Sequence, residues 1–282
     1  MVTAAQRTDK LLVYSPSAGS VTPEVQQRLH AEFDDFTFVE FPPALDWLEL
    51  LTKPATVVAC GGDGTIAAVA KVLAGTDHLY GILAQGTFNN FARGLGLPTD
   101  FEAAVRVVKT GKPKPVTLGK ANGDVFLEAA AIGVFGEAIA FGEAAKDLHY
   151  GQALARLRQI ASAVDFAYRI TGSVKLRGRA NSIIAANTPS IGAMIVVGQT
   201  NPEERRLDLT INHGRTRVGF FARLAGALLR RRPPEALESV KVRRVRIETT
   251  PAVSVHADAA DIGKTPVDIA TMAGGLHVIL PA

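Results

Sequence analysis

Thr56-Val57-Val58-Ala59-Cys60-Gly61-Gly62-Asp63-Gly64-Thr65-Ile66-Ala67-Ala68-Val69-Ala70-Lys71-Val72-Leu73 passes from a β-rich run to a helical pattern within a few residues. Thr56 to Cys60 is short, apolar and partly β-branched, as a buried strand requires. Beyond Thr65, apolar groups recur at Ile66, Val69, Ala70 and Leu73, the spacing of one helix face. The glycines therefore lie where a strand hands over to a helix. Glycine there allows another group to approach the backbone closely, and the N–H groups and dipole of the helix start favour an anion. A phosphate is the natural occupant; a tight turn with no ligand is the alternative.

Asp63 sharpens this choice. A carboxylate beside phosphate oxygens repels them unless a cation or a donated hydrogen bond intervenes, and a magnesium-nucleotide complex resolves the conflict. The loop has neither the Lys-Ser/Thr ending of a Walker loop nor the spacing of a dinucleotide fingerprint.

Outward from this loop the same alternation continues. Leu11 to Tyr14 is an apolar run, Val25, Leu29 and Phe33 follow at helical spacing, and Phe36 to Phe41 is strand-like. Ala44 to Leu51 reads as a helix, Tyr80 to Ala84 as a strand, and Asp100 as the cap of a helix burying Phe101, Ala104, Val105 and Val108. This order predicts an α/β domain with a mostly parallel sheet, its ligands at the carboxyl ends of the strands. After Pro115 the pattern changes. Val116 to Leu118 and Val125 to Leu127 flank the hairpin dipeptide Asn122-Gly123. A helical stretch from Glu143 to Tyr168 precedes strand-like segments at Ser173 to Leu176, Ser182 to Ala186, Ala193 to Val197, Leu207 to Ile211, Val240 to Glu248 and Ala252 to His256. A helix from Val218 to Leu229 interrupts them. The second half is thus mainly β, and a sandwich is expected. The boundaries predicted are 1–120 and 121–270, with 271–282 rejoining the first domain.

The 282 residues, 47% hydrophobic and 21% charged, suit a two-domain globular chain. A net charge of +4 does not by itself argue for nucleic acid, and no nucleic-acid partner is expected. Cys60 stands alone, which excludes an intrachain disulfide and any multi-cysteine metal site and fits a reducing, cytoplasmic setting. Met1 to Lys10 lacks the apolar core of a signal peptide, and no window holds the roughly 18 apolar residues of a membrane span. Membrane contact is therefore expected to be peripheral. Arg230-Arg231-Arg232, at the end of a helix with Phe220, Phe221, Leu224, Leu228 and Leu229, is one basic site beside apolar groups; Arg243, Arg244 and Arg246 are another.

Cys60 to Thr65 resembles the GGDGT signature shared by diacylglycerol kinases, sphingosine kinases, NAD kinases and phosphofructokinases. Gly86-Thr87-Phe88-Asn89-Asn90-Phe91-Ala92-Arg93 resembles the GTxNDFAR block that separates the lipid kinases, and Ser15-Pro16-Ser17-Ala18-Gly19 is similar to their opening NPxSG. In the second half, Asn187-Thr188-Pro189 with Gly192-Ala193-Met194, Leu207-Asp208-Leu209 and the stretch Asp258 to Pro266 resemble the family's glycine-rich strand pair, LDV segment and DGE-to-GxTP segment. The chain is thereby identified as similar to the diacylglycerol kinase-like family.

That resemblance implies ATP as phosphoryl donor, Mg2+, and a lipid substrate at a membrane surface; a homodimer is compatible with it. It assigns nucleotide binding to Ser15, Gly61, Gly62, Asp63, Gly64, Thr65, Gly86, Thr87 and Asn89. Asp63 and Asp258 become the catalytic carboxylates, with Asp258 as general base, and Glu204 and Asp208 become metal ligands. Three departures stand out. Ser15 replaces an asparagine, Ala259 and Ala260 replace the glycine and glutamate of DGE, and Glu203-Glu204-Arg205 replaces Asp-Asp-Gly. Diacylglycerol is the default acceptor. A sphingoid base or ceramide, or a weakened nucleotide- or lipid-binding regulator, is the alternative.

Overall fold

The computed structural model describes residues 7–16, 21–42, 47–136, 165–191, 195–196, 200–213, 237–258 and 260–282. The chain divides into one unit of residues 1–116 with 273–282, and another of 117–272.

In the first unit, β1 (Thr8–Tyr14), α1 (Pro23–Glu32), β2 (Thr37–Glu40), β3 (Leu51–Gly61), α2 (Asp63–Leu73), β4 (Leu79–Ala84), α3 (Asn90–Gly94) and α4 (Phe101–Thr110) alternate along the chain. β1 pairs in parallel with β2 and β3, and β3 with β4. Buried Leu12, Val58, Cys60 and Leu83 pack with Leu29 and Phe33 near α1 and with Phe101, Ala104 and Val105 of α4. The other face carries Tyr80, whose hydroxyl donates to Ile66 O of α2 at 2.8 Å. Two ends are capped as their sequences dictate: Thr22 Oγ1 accepts from Val25 N at 3.3 Å and Asp100 Oδ1 from Ala103 N at 2.9 Å.

The second unit holds β5 (Lys112–Ala121, which enters from the first), β6 (Asp124–Phe126), β7 (Ala129–Gly133), β8 (Phe166–Gly172), β9 (Leu176–Ala180), β10 (Ser182–Ala186), β11 (Ser190–Ile191), β12 (Ile195–Val196), β13 (Leu207–Asn212), β14 (Leu237–Val242), β15 (Arg244–Thr250), β16 (Ser254–Ala257), β17 (Ala260–Lys264) and β18 (Val267–Leu280). One sheet runs β18-β15-β8-β9 and the other β14-β13-β10-β7-β16-β17. Their inner faces share one core: Phe166, Ile170, Val245, Ile247 and Ile269 from the first meet Ile132, Ile183, Leu209, Ile211 and Val255 from the second. This is the expected sandwich. β18 then continues into the first unit, where Val278 pairs in parallel with Tyr80.

Several local expectations are corrected. Trp47–Leu50 is a single 3-10 turn, and Leu51 already begins β3. Phe166 to Tyr168 is strand, not the end of a helix, because these residues alternate buried and half-buried against the sandwich core. Ser173 lies in the β8–β9 connection, where its Oγ accepts from Arg243 N at 3.2 Å and Arg244 N at 3.1 Å. That pairing breaks the predicted strand Val240 to Glu248 at Arg243, so β14 and β15 enter different sheets. The helices expected over residues 143–164 and 218–229, the segments 17–19, 192–194 and 230–232, and Ala259 lie outside the described residues.

Candidate active site

β1, β3 and β4 are neighbours, and their carboxyl ends carry Ser15, the Gly61–Thr65 loop and the Gly86–Asn89 loop. Ser15 N donates to Cys60 O at 3.0 Å and Gln85 N to Gly61 O at 2.8 Å, so all three connections leave the sheet together. Gly62 is extended and caps α2. The first helical hydrogen bond, Ile66 N to Gly62 O at 3.0 Å, leaves the N–H groups of the first turn ahead of it.

The glycines differ in what they do. A Cβ on Gly61 would lie 2.8 Å from Thr65 Oγ1, and one on Gly86 would lie 2.7 Å from Gly62 Cα and 2.8 Å from Asn89 Oδ1. Gly61 therefore makes room for Thr65, and Gly86 lets the two loops touch through their backbones. Gly64 is otherwise: it is exposed, its φ is not left-handed, and a Cβ there would meet nothing within 4 Å. Nothing within the loop asks for glycine at that position.

Asp63 fastens the two loops. Its Oδ2 accepts from Asn89 N at 2.9 Å and its Oδ1 from Asn90 N at 3.0 Å, so donated hydrogen bonds hold this carboxylate. Asn89 is left-handed (φ 54), and its amide closes on Gly86 in both directions: Oδ1 accepts from Gly86 N at 2.9 Å and Nδ2 donates to Gly86 O at 2.9 Å. Asn89 thus shapes the loop with its side chain, while Thr87 is exposed. Cys60 is buried beneath the loop, and burial pushes its thiol up to about 12, which leaves it unreactive core. Asn90 carries no role in the sequence reading, although it stands inside the block that resembles GTxNDFAR.

Asp258 lies in the second unit, at the turn from β16 to β17, with a left-handed backbone (φ 45). Its Oδ2 accepts from Leu127 N at 2.8 Å, its Oδ1 from Glu128 N at 2.9 Å, and its own N donates to Ala129 O at 3.0 Å. Asn187 grips the same stretch through its carbonyls: Asn187 N donates to Glu128 O at 2.7 Å, and Nδ2 donates to Leu127 O and Thr117 O, each at 2.9 Å. Buried His256, on β16, lies against Gly136, where a Cβ would come within 2.7 Å of Nδ1.

Glu204 and Asp208 do not fit a divalent cation. Lys241, directly opposite Asp208 across β13 and β14, pairs with the Glu204 carboxylate and lies 3.9 Å from Asp208 Oδ1. Asp208 Oδ2 accepts from Thr200 N at 2.8 Å. An ammonium and a main-chain N–H thus supply the positive partners that a metal would otherwise provide. Among the described residues no group of three or more His, Cys, Asp or Glu is arranged to hold a metal ion.

Residues 11–121 match the family model described as diacylglycerol kinase catalytic domain, and residues 132–280 match the YegS C-terminal NAD kinase beta sandwich-like domain. A diacylglycerol kinase of Bacillus subtilis is 25% identical over 247 residues, covering 80% of this chain and 77% of its own. A Synechocystis protein is 24% identical over 236 residues; the match covers 80% of this chain but only about half, 54%, of that relative's length. Among solved structures, a diacylglycerol kinase from Bacillus anthracis superposes with a TM-score of 0.73 at 22% identity, covering 96% of this chain and 97% of that one. An NAD kinase from Archaeoglobus fulgidus, solved in complex with ATP, has a TM-score of 0.52 at 15% identity, covering 97% and 93%.

Proposed function

The chain belongs to the lipid kinase family that joins a diacylglycerol kinase catalytic domain to a YegS-type β-sandwich, and from that premise we propose that it transfers the γ-phosphate of ATP to a lipid hydroxyl, with diacylglycerol as the default acceptor. Gly64 is the observation that carries the nucleotide half. Glycine in a helix loses stability relative to alanine, yet no neighbour or strained angle requires it here. A phosphate lying over the first turn of α2 supplies the missing reason, since it needs the space a side chain would take.

The two loops divide the binding work. The Gly61–Thr65 backbone receives the phosphates, while Asp63 and Asn89 keep the second loop against the first so that the exposed Thr87 hydroxyl can hydrogen-bond the nucleotide. Magnesium bound with the nucleotide would neutralise phosphate charge. Asp63, at the start of α2 between the two loops, would be the carboxylate by which this chain holds that ion. Asp258 is the general base for the lipid hydroxyl. Its left-handed backbone is retained where glycine would be unstrained, and the Leu127 and Glu128 N–H groups fix the carboxylate's direction.

One observation favours a second reading, a regulator that binds nucleotide or lipid without turnover. Both Asp258 oxygens already accept main-chain hydrogen bonds, and Ala260 brings no second acid. Single-turnover transfer of labelled phosphate from ATP to micelles of diacylglycerol, ceramide or a sphingoid base separates the two. Transfer to any of these establishes the kinase, and tight ATP binding with no transfer establishes the regulator.

A further inference from the structure

The outer face of the β18-β15-β8-β9 sheet is dominated by arginine. Along β15 the buried residues are Val245 and Ile247, which turns Arg244, Arg246 and Glu248 outward. On β8, Phe166, Tyr168 and Ile170 point inward and Arg169 is exposed. Register extends the row: Arg169 lies directly opposite Arg177 of β9, Ala167 opposite Arg179, and Arg246 opposite Asp268 of β18. The face therefore presents five arginines against two carboxylates, Glu248 and Asp268. Both of those carboxylates pair with Arg246, at 3.6 and 2.7 Å. Glu248 also lies directly opposite Arg169 across β15 and β8, and among the described residues no ion pair joins a carboxylate to Arg169, Arg177 or Arg244. Arg243 and Lys175 add charge at the adjoining turns.

A solvated outer face is the ordinary fate of one side of an antiparallel sheet, and such a face mixes its charges. This one does not. Like charges directly opposite each other across a strand pair destabilise it, and Arg169 and Arg177 are so placed. Every cation on the strands themselves is arginine, the side chain whose planar fork suits phosphate oxygens. Small residues, Ala167, Thr171 and Ala270, separate the arginines, and among its described residues the face carries no exposed aromatic ring on which a base could stack.

We propose that this arginine face of the β-sandwich is a docking surface for the phosphate headgroups of an anionic bilayer. The idea rests on the lipid kinase reading for its choice of a bilayer over other phosphate-bearing surfaces. It makes the attachment peripheral and electrostatic, in keeping with the fact that no described helix is long and apolar enough to cross a membrane.

The test is sedimentation of the full chain, without nucleotide, with vesicles of phosphatidylcholine alone or doped with phosphatidylglycerol, over a series of salt concentrations. Wild type should bind the doped vesicles only, and release as salt rises. Arg169→Gln/Arg177→Gln, with its fold checked by circular dichroism, should partition about 30-fold more weakly, from a loss of roughly fivefold for each headgroup-facing cation. Arg106→Gln/Lys112→Gln removes the same charge from exposed positions of the first unit and should bind as wild type. Equal loss in both double variants would reduce the effect to net charge and overturn the proposal. So would absence of binding to doped vesicles, or preferential binding to a single-stranded polynucleotide at matched salt. Because no ATP is present, failure here is distinct from failure of the kinase, which transfer to micellar lipid reports separately.

Discussion

The Asp63 carboxylate accepts the main-chain N–H of Asn89 at 2.9 Å, and that bond makes one structural piece of two loops separated by a helix and a strand. Asn90 N donates to the other oxygen at 3.0 Å. Asp63→Asn replaces one acceptor oxygen with an NH2 that opposes a main-chain donor. The expected loss is about 1–3 kcal/mol in urea-unfolding stability, together with at least a 100-fold fall in turnover, since the phosphate-binding geometry shifts as well. A variant with wild-type turnover would take Asp63 out of the site altogether.

Gly64 and Gly86 should respond in opposite ways to a modest side chain. Gly64→Val adds atoms where nothing lies within 4 Å, so the protein should fold normally while ATP affinity falls by at least about tenfold. Gly86→Ala forces a Cβ to 2.7 Å from Gly62 Cα and should lower thermal stability before any ligand is added. Nucleotide titration and melting of both proteins measure the contrast. Unchanged ATP affinity in Gly64→Val would leave the glycine loop as a simple turn.

Lys241 answers for the charge of Glu204 and Asp208. Removing it by Lys241→Met leaves the buried Asp208 carboxylate with its main-chain donor but without its cation, a loss of about 1–3 kcal/mol. Wild-type Tm should be indifferent to added Mg2+ or to a chelator. A chelator-induced drop in wild-type Tm would return a metal to this site.

The parallel sheet and the sandwich were legible because each rests on local patterns: β-rich runs such as Thr56 to Cys60, helix spacing at Ile66, Val69 and Leu73, and the turn dipeptide Asn122-Gly123, both of whose residues have positive φ. Asp100 announced its cap for the same reason. What stayed hidden depends on partners remote in sequence. Arg243 divides a continuous β-rich run because Ser173, 70 residues away, takes its N–H. The cation beside Glu204 comes from a strand 37 residues later, out of reach of the family resemblance that implied a metal there. In the glycine loop the motif marked the residues while leaving their division of labour unread. Gly61 and Gly86 serve packing, Asn89 turns its amide back on Gly86, and a Cβ on Gly64 would meet nothing within 4 Å.

Asp258 joins the most demanding chemistry to a structural duty, and the two separate experimentally. Its oxygens accept from Leu127 N at 2.8 Å and Glu128 N at 2.9 Å, while Asn187 holds the carbonyls of the same residues, so the stretch is gripped from both sides. Asp258→Asn must turn an NH2 toward one of those N–H groups and should lose about 1–3 kcal/mol of stability, whatever else it does. Asn187→Ala removes the opposite grip and should destabilise to a similar degree, without removing the base. If Asp258 takes the lipid proton, Asp258→Asn should keep its ATP affinity and lose roughly 100- to 10,000-fold in single-turnover transfer, whereas Asn187→Ala, measured below its Tm, should lose far less. Equal losses in the two variants would make Asp258 a clamp and nothing more. The proton would then have to leave by another group, for which half-buried Glu128, whose main-chain N–H lies 2.9 Å from Asp258 Oδ1, is the nearest carboxylate-bearing residue along the gripped stretch.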